Sequence, residues 1–288
     1  MAPVVCYFGT YEADYERNRI LVDGLRECGA TVLECHEPMW QDLRHKTGVL
    51  DSAAALARLG GAVMRKYTEL ARRYLRSVPE HDVMVVGYLG HLDVLVAAPL
   101  ARLRGKPLVF DAFISLFDTL VHDRALFPPR SVRARAAKSL DRLSCALADV
   151  VLVDTEEHAA YFAEELGVPK EKLRRVLVGA DPRVYHPVSV EPSRVFTAFH
   201  YSKFAPLHGV RTILEAARIL RGSDVRFVLV GGGQLERDVV RWIEELELDN
   251  LEHHRWMEPH ELRASIARAG ACLGIFGDTP KAARVIPN

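Results

Sequence analysis

The chain has 288 residues, about twice a typical globular domain, so two domains are expected, each with a core of its own. Lysine and arginine total 38 and so do aspartate and glutamate, which excludes a global basic field for gathering nucleic acid. Apolar residues at 49% and charged residues at 26% exclude disorder, collagen and coiled coil as descriptions of the whole. Five cysteines, Cys6, Cys28, Cys35, Cys145 and Cys272, form no C-x-x-C and no zinc spacing with histidine, so a reduced cytoplasmic compartment and no metal are expected. No apolar run approaches about 18 residues, and the N-terminus lacks a signal-peptide layout.

In chain order, short apolar runs alternate with stretches of helical period. Strands are expected near 3–9, 30–35, 82–87, 107–112, 149–153 and 174–178, with amphipathic helices near 15–28, 52–78, 91–104, 131–147 and 155–166. Many of the strand runs are apolar at successive positions, as a parallel sheet covered on both faces requires. At 179–192 the text becomes GADPRVYHPVSVEP, which has three prolines and no periodicity and reads as a linker. A second βα series follows, with strands near 194–200, 225–230, 251–256 and 271–276 and helices near 209–221, 234–247 and 259–269. The expected division is 1–186 and 187–288. The last strand is followed only by GDTPKAARVIPN, so the second domain is expected to be incomplete and the chain truncated.

Five stretches together resemble glycosyltransferase family 4: YFGTYEADYERNR, VLVGADPRVYHP, FHYSKFAPLHGVRTILEAARIL, FVLVGGGQLERDV and WMEPHELRASIARAGACLGIFGDTPKAARVIPN. They cover nearly the whole chain in the family's order. The resemblance implies the α/β GT-B architecture, two Rossmann-like domains with parallel sheets facing a cleft, and transfer of a sugar with retention of configuration. The donor would be a nucleotide-sugar, a co-substrate rather than a cofactor, and the acceptor a glycan or a lipid-linked molecule. The family's two glutamates eight apart have no counterpart: TPKAARV offers Lys281 and Arg284 where an acid is expected, and the match ends at Asn288. That departure favours a rival of another class, a catalytically incomplete GT-B-like nucleotide-binding module. A sugar-nucleotide epimerase of similar architecture is argued against by the linker and by PLHG.

A departing nucleoside diphosphate gains negative charge, so cations beside it act most strongly in the transition state. The resemblance assigns that task to Lys203 in YSKF and to His208 in PLHGV. Lys203 carries a permanent charge, whereas an imidazole near its usual pKa of about 6.5 is only partly protonated. Taken alone, the two read equally as a solvated loop lysine and a helix-start residue. Gly231, Gly232 and Gly233 follow the strand FVLV and precede a helix, a turn at which backbone can approach a ligand; it reads equally as a plain tight turn. Gly9 and Thr10 form the corresponding turn of the first domain, which the resemblance places near donor phosphates and acceptor. Glu258, Pro259 and His260 open a helix that the resemblance places beside the nucleobase; Glu258 and Glu261 are also ordinary first-turn acids. Lys281 is a further expected donor contact.

His91 and Asp111 stand at the carboxyl ends of the third and fourth strands, where open α/β sheets bind ligands. With Asp118 and His122 they are candidates for holding sugar hydroxyls or activating the acceptor, although each reads singly as structural or solvated. No covalent nucleophile is assigned. His253 and His254, adjacent in a strand, would point to opposite faces, against shared metal ligation. Residues 52–78 carry Arg58, Arg65, Lys66, Arg72, Arg73 and Arg76 against Glu69, and 124–142 carry Arg124, Arg130, Arg133, Arg135, Lys138 and Arg142 against Asp141, net +5 each. Leu56, Leu59, Val63, Tyr67, Leu70 and Tyr74 give the first helix an apolar stripe. Peripheral contact with an anionic membrane at its cytoplasmic face follows as an expectation, against the plainer reading of solvated faces.

Overall fold

The computed structural model describes residues 2–39, 53–191 and 193–286, without the side chains of 53–59, so Leu56, Arg58 and Leu59 lie outside the described side chains. The chain forms two compact units. Unit 1 comprises residues 1–117 and 130–179, and unit 2 comprises 118–129 and 180–288.

Among the described residues, unit 1 holds a six-stranded sheet of β1 (Val4–Gly9), β2 (Thr31–His36), β3 (Val83–Val86), β4 (Leu108–Phe113), β5 (Val150–Val153) and β6 (Leu173–Arg175), in the order β2-β1-β3-β4-β5-β6 and parallel throughout. Helices α1 (Glu16–Glu27), α2 (Ala53–Ser77), α3 (His91–Leu103), α4 (Val132–Leu147) and α5 (Glu156–Leu166) form the crossovers. Strand alternation divides the core by face. Cys6, Phe8, Met84 and Val86 point into one cluster with Leu70 and Tyr74, while Val5, Tyr7 and Val85 join Tyr11 and Val22 in another. Apolar residues at successive positions therefore reflect two covered faces. Two caps follow the sequence directly: Ser131 Oγ accepts from Ala134 N–H at 3.1 Å and Thr155 Oγ1 from His158 N–H at 3.0 Å.

Unit 2 holds β7 (Phe196–Lys203), β8 (Val225–Gly232), β9 (Leu251–His254) and β10 (Ala271–Cys272), ordered β10-β7-β8-β9 and parallel throughout. Helices α6 (Val210–Ile219), α7 (Glu236–Glu245) and α8 (Pro259–Arg268) connect them. Ala198, Phe227 and Leu229 pack on one face with Ile213, Leu214 and Val239, and Phe199 and Val230 on the other with Leu262.

The expected elements are present among the described residues with several ends shifted, β7 for example running on to Lys203 rather than stopping at 200, and three shifts have a local cause. The sixth strand ends at Arg175 rather than 178, because the carbonyls of Val176 and Leu177 turn to the Arg17 side chain. The last strand is two residues long; beyond it Phe276 N–H and Gly277 N–H bond to the carbonyls of His208 and Leu207 in the loop after β7. The division of the chain falls at Gly179 instead of at 186. The reason is local: Asp181 accepts from the N–H groups of Arg183, Val184 and Tyr185 through its side chain and carbonyl, and Tyr185 packs on the Phe199–Leu262 cluster. The proline-rich stretch thus opens unit 2 rather than floating between units. Residues Asp118–Pro129 belong to unit 2 as well, which sequence order alone hides.

Candidate functional site

In open α/β sheets ligands sit outside the carboxyl ends of the strands, where the strand order reverses. In unit 2 that reversal lies between β7 and β10, and in unit 1 between β1 and β3.

At the end of β7, Lys203 pairs in register with Gly232 of β8, and Ser202 with Gly231. The lysine is exposed. Gly231 has φ +143°, and a Cβ there would lie 1.9 Å from the Ser202 carbonyl oxygen, so this position admits glycine alone. The Phe204 N–H donates to the Gly232 carbonyl and the Leu235 N–H to the Phe204 carbonyl, at 2.8 and 3.0 Å. These bonds lock the two loops into one surface. Lys203, Gly231, Gly232 and Gly233 are therefore brought together at the end of the sheet.

His208 ends the short 3-10 turn Pro206–His208 and is partly buried. Burial, followed by the fields of His200 and Arg124, pushes its pKa down to about 4, so the ring is neutral near pH 7. Its Nδ1 accepts from Ala205 N–H at 3.3 Å, which leaves the proton on Nε2 as a donor. The partly protonated His208 expected from the sequence is thus a neutral one, and Lys203 is the cation of this loop.

Lys281 is placed differently from expectation. It is buried, its Nζ donates to Thr119 Oγ1 at 2.7 Å and it stands 3.9 Å from Asp123 Oδ2. Arg284 donates to Asp118 Oδ1 at 2.6 Å, and His122 Nδ1 lies 3.0 Å from the same oxygen. Asp118, His122, Lys281 and Arg284 therefore form one charged cluster inside unit 2. Glu258 is the exposed N-cap of α8, with its N–H donating to Glu261 Oε2 at 3.2 Å, the arrangement of a helix cap.

In unit 1 the Gly9–Thr10 turn is held by a residue that the motifs do not single out. Fully buried Asp93 accepts from Thr10 N–H, Thr10 Oγ1 and Tyr67 Oη, each at 2.8 Å. Gly9 has φ +146°, and a Cβ would meet Asp93 Oδ2 at 2.4 Å. The turn expected near phosphate directs the Thr10 N–H and hydroxyl to the Asp93 carboxyl instead of outward to an anion. Asp111 is likewise engaged: both its oxygens accept from Arg17, at 2.9 and 2.8 Å, in a pair sealed from water. Burial opposes the Arg17 charge, and the bonds and field of Asp111 more than offset this, raising the guanidinium pKa. Asp111 is an internal ion-pair partner rather than an open acid. His91 is buried at the start of α3 with Nε2 3.0 Å from Asp141 Oδ1, while Asp141 accepts from Ser115 Oγ and from the N–H groups of Leu116 and Phe117. His91 thus braces the loop after β4.

Asp93 had one sequence signal, an acid inside the apolar run HLDVLVAAPL. Arg17 had none, since it reads like the other arginines of YERNR. Among the described residues no group of three His, Cys, Asp or Glu side chains is arranged to hold a metal ion, and no helix is long and apolar enough to cross a membrane. The recess lined by Glu236, Arg237, Val240 and Arg255 contains none of the expected site residues.

Solved structures similar to this chain include the following three. The Anabaena protein HepE in complex with UDP is 16% identical, with 93% of this chain and 72% of HepE covered and a TM-score of 0.57; HepE has also been solved with UDP-glucose. A glycosyltransferase from Rickettsia africae is 12% identical, with 93% and 71% covered and a TM-score of 0.57. The lipopolysaccharide outer core galactosyltransferase WaaB in its apo form is 10% identical, with 93% and 72% covered and a TM-score of 0.51. No family model and no curated protein matches the sequence. These likenesses show the fold: an α/β chain with two parallel sheets, of the GT-B glycosyltransferase architecture.

Proposed function

We propose that this protein is a glycosyltransferase that moves a sugar from a nucleotide-sugar donor to a glycan or lipid-linked acceptor with retention of configuration. The observation that carries the reading is the joining of Lys203 to the Gly231–Gly233 turn at the carboxyl ends of β7 and β8, next to the reversal of strand order between β7 and β10. It is supported by the likeness to HepE, whose structures hold UDP and UDP-glucose. As the bond between the sugar carbon and the diphosphate oxygen breaks, negative charge grows on the diphosphate, and Lys203 gives most where that charge is largest. The glycine backbone admits the phosphates closely, and the His208 Nε2–H supplies a neutral hydrogen bond.

On this reading Lys203→Ala is expected to weaken UDP binding by about 1.5–3 kcal/mol, the range for a hydrogen bond to a charged group. Isothermal calorimetry at constant ionic strength measures it. An unaltered dissociation constant removes Lys203 from the site.

A second reading, a nucleotide-binding module without transfer, is favoured by one observation: Lys281 is bonded to Thr119 beside Asp123, Arg284 is bonded to Asp118 and His208 is neutral, which leaves Lys203 as the exposed cation of the β7 loop. Incubation with UDP-glucose separates the two. Release of UDP at a rate that falls in Lys203→Ala supports transfer, and binding without turnover supports the module.

The acceptor side is proposed to work at an anionic membrane surface. On α2, Lys66 and Arg73 are paired with Glu37 at 2.9 and 3.1 Å, which leaves Arg65, Arg72 and Arg76 outward, interleaved with exposed Met64 and Leu75. Each outward arginine is worth about 1 kcal/mol at an anionic leaflet. Changing all three to glutamine is expected to abolish salt-sensitive sedimentation with phosphatidylserine vesicles. Equal sedimentation with neutral vesicles would speak for an apolar mode instead.

A further inference from the structure

The segment Asp118–Pro129 precedes α4 of unit 1 in sequence yet packs within unit 2, and the way it is held suggests a purpose. Its anchors include four hydrogen bonds among the described residues. Asp123 Oδ1 accepts from Leu207 N–H at 3.1 Å, in the loop after β7. Lys281 Nζ donates to Thr119 Oγ1, Arg284 Nη2 to Asp118 Oδ1, and Gln234 Nε2, next to the glycine turn, to the Arg124 carbonyl at 2.9 Å. Asp118, Asp123 and Lys281 are all nearly sealed from water.

Charge burial of this kind is unfavourable before pairing, and apolar replacements of similar volume are often as stable. It is therefore a poor device for stability alone. The donors, in contrast, make a familiar set for a phosphate: the Leu207 N–H on Asp123, the Arg284 guanidinium on Asp118, and the Lys281 ammonium on Thr119 with Asp123 Oδ2 3.9 Å away. The Leu207 N–H adjoins His208, and Gln234 adjoins Gly233, so two of the anchors lie in the two loops of the proposed donor site. Ala125, inside the segment, has φ +51°, a left-handed conformation that a residue with a Cβ adopts only at a cost.

We propose that Asp118–Pro129 is an intramolecular strap whose carboxylates Asp118 and Asp123 occupy an anion site built by the Leu207 N–H, Lys281 and Arg284, and that a nucleoside diphosphate takes this site by displacing them. The proposal rests on the donor reading above and adds regulation to it: the chain carries its own competitor. If the strap is seated about nine-tenths of the time, the apparent dissociation constant is about tenfold above the intrinsic one. Release of the strap on binding also frees Asp118, His122 and Asp123 together.

Hydrogen exchange of the wild-type protein with and without saturating UDP is the test, joined to calorimetry of Asp118→Asn/Asp123→Asn and of Thr119→Val. Exchange at 118–129 is expected to rise on binding, whereas ordinary ligand contact lowers it. The double variant is expected to bind UDP about tenfold more tightly, and Thr119→Val, which removes the hydroxyl that accepts from Lys281, a few-fold more tightly. UDP binding with exchange at 118–129 unchanged or slowed overturns the strap, as does equal or weaker binding by the variants, and the donor reading then stands. Absence of UDP binding to all three proteins overturns the donor reading and the strap with it. Binding to a variant but not to the wild type supports both. Should the double variant fail to fold, the wild-type exchange and Thr119→Val decide.

Discussion

Asp111→Ala is expected to lower the unfolding free energy by about 3–5 kcal/mol, because it leaves the Arg17 guanidinium buried without its counter-charge. The arginine is only 5% exposed, bonded to the carbonyls of Val176 and Leu177, and lies 4.8 Å over the ring of Phe113. It joins α1 to the ends of β4 and β6, so the loss should reach the whole sheet. Urea unfolding at neutral pH measures it, and Arg17→Met/Asp111→Leu should recover part of the loss by removing both charges. A cost below about 1 kcal/mol for Asp111→Ala would show that water reaches the pair.

Asp93→Leu is expected to cost about 3 kcal/mol or more, for a different reason. Here no charge is stranded, but three donors are: Thr10 N–H, Thr10 Oγ1 and Tyr67 Oη lose their one shared acceptor inside the core. Burial already pushes the Asp93 carboxyl up, and its hydrogen bonds to Thr10 and Tyr67 oppose that push. A second readout separates a local from a global effect. The Thr10 amide should exchange faster in Asp93→Leu even under conditions where β3 and β4 remain protected. If the Thr10 amide keeps its wild-type protection, the turn is held by its backbone and Asp93 is not its support. Tyr67→Phe, which removes one donor and leaves the carboxylate two, should cost clearly less.

The two predictions share a lesson about acids near the ends of parallel strands. Asp111 was expected in the site because it stands where ligands of such sheets bind, and Asp93 was passed over as part of a helix. Both are buried acceptors for other parts of unit 1. Position at a carboxyl strand end brings a carboxylate near a ligand, but whether it faces outward depends on which donors the neighbouring loops supply. Arg17, 94 positions earlier than Asp111, supplies them here.

The alternation of apolar runs with helical periods was enough to assign strands, crossovers and the α/β class, because those signals are local: strand and helix periods are written every two and every 3.6 residues. The glycines at 231 and 233 and the exposed Lys203 were legible for the same reason, since turn chemistry is a property of adjacent residues. The partners of charged residues were not legible. Lys281 and Arg284 find Thr119 and Asp118 more than 160 positions away, and 118–129 joins unit 2 although the helix after it, α4, belongs to unit 1. His208 is a cation by name, and only the burial and neighbouring charges supplied by the folded unit make it neutral. Sequence therefore determined which elements form and where the chain turns, whereas the tertiary structure decided which charges face water and which are spent on one another, because burial and long-range pairing exist only once the sheets are assembled.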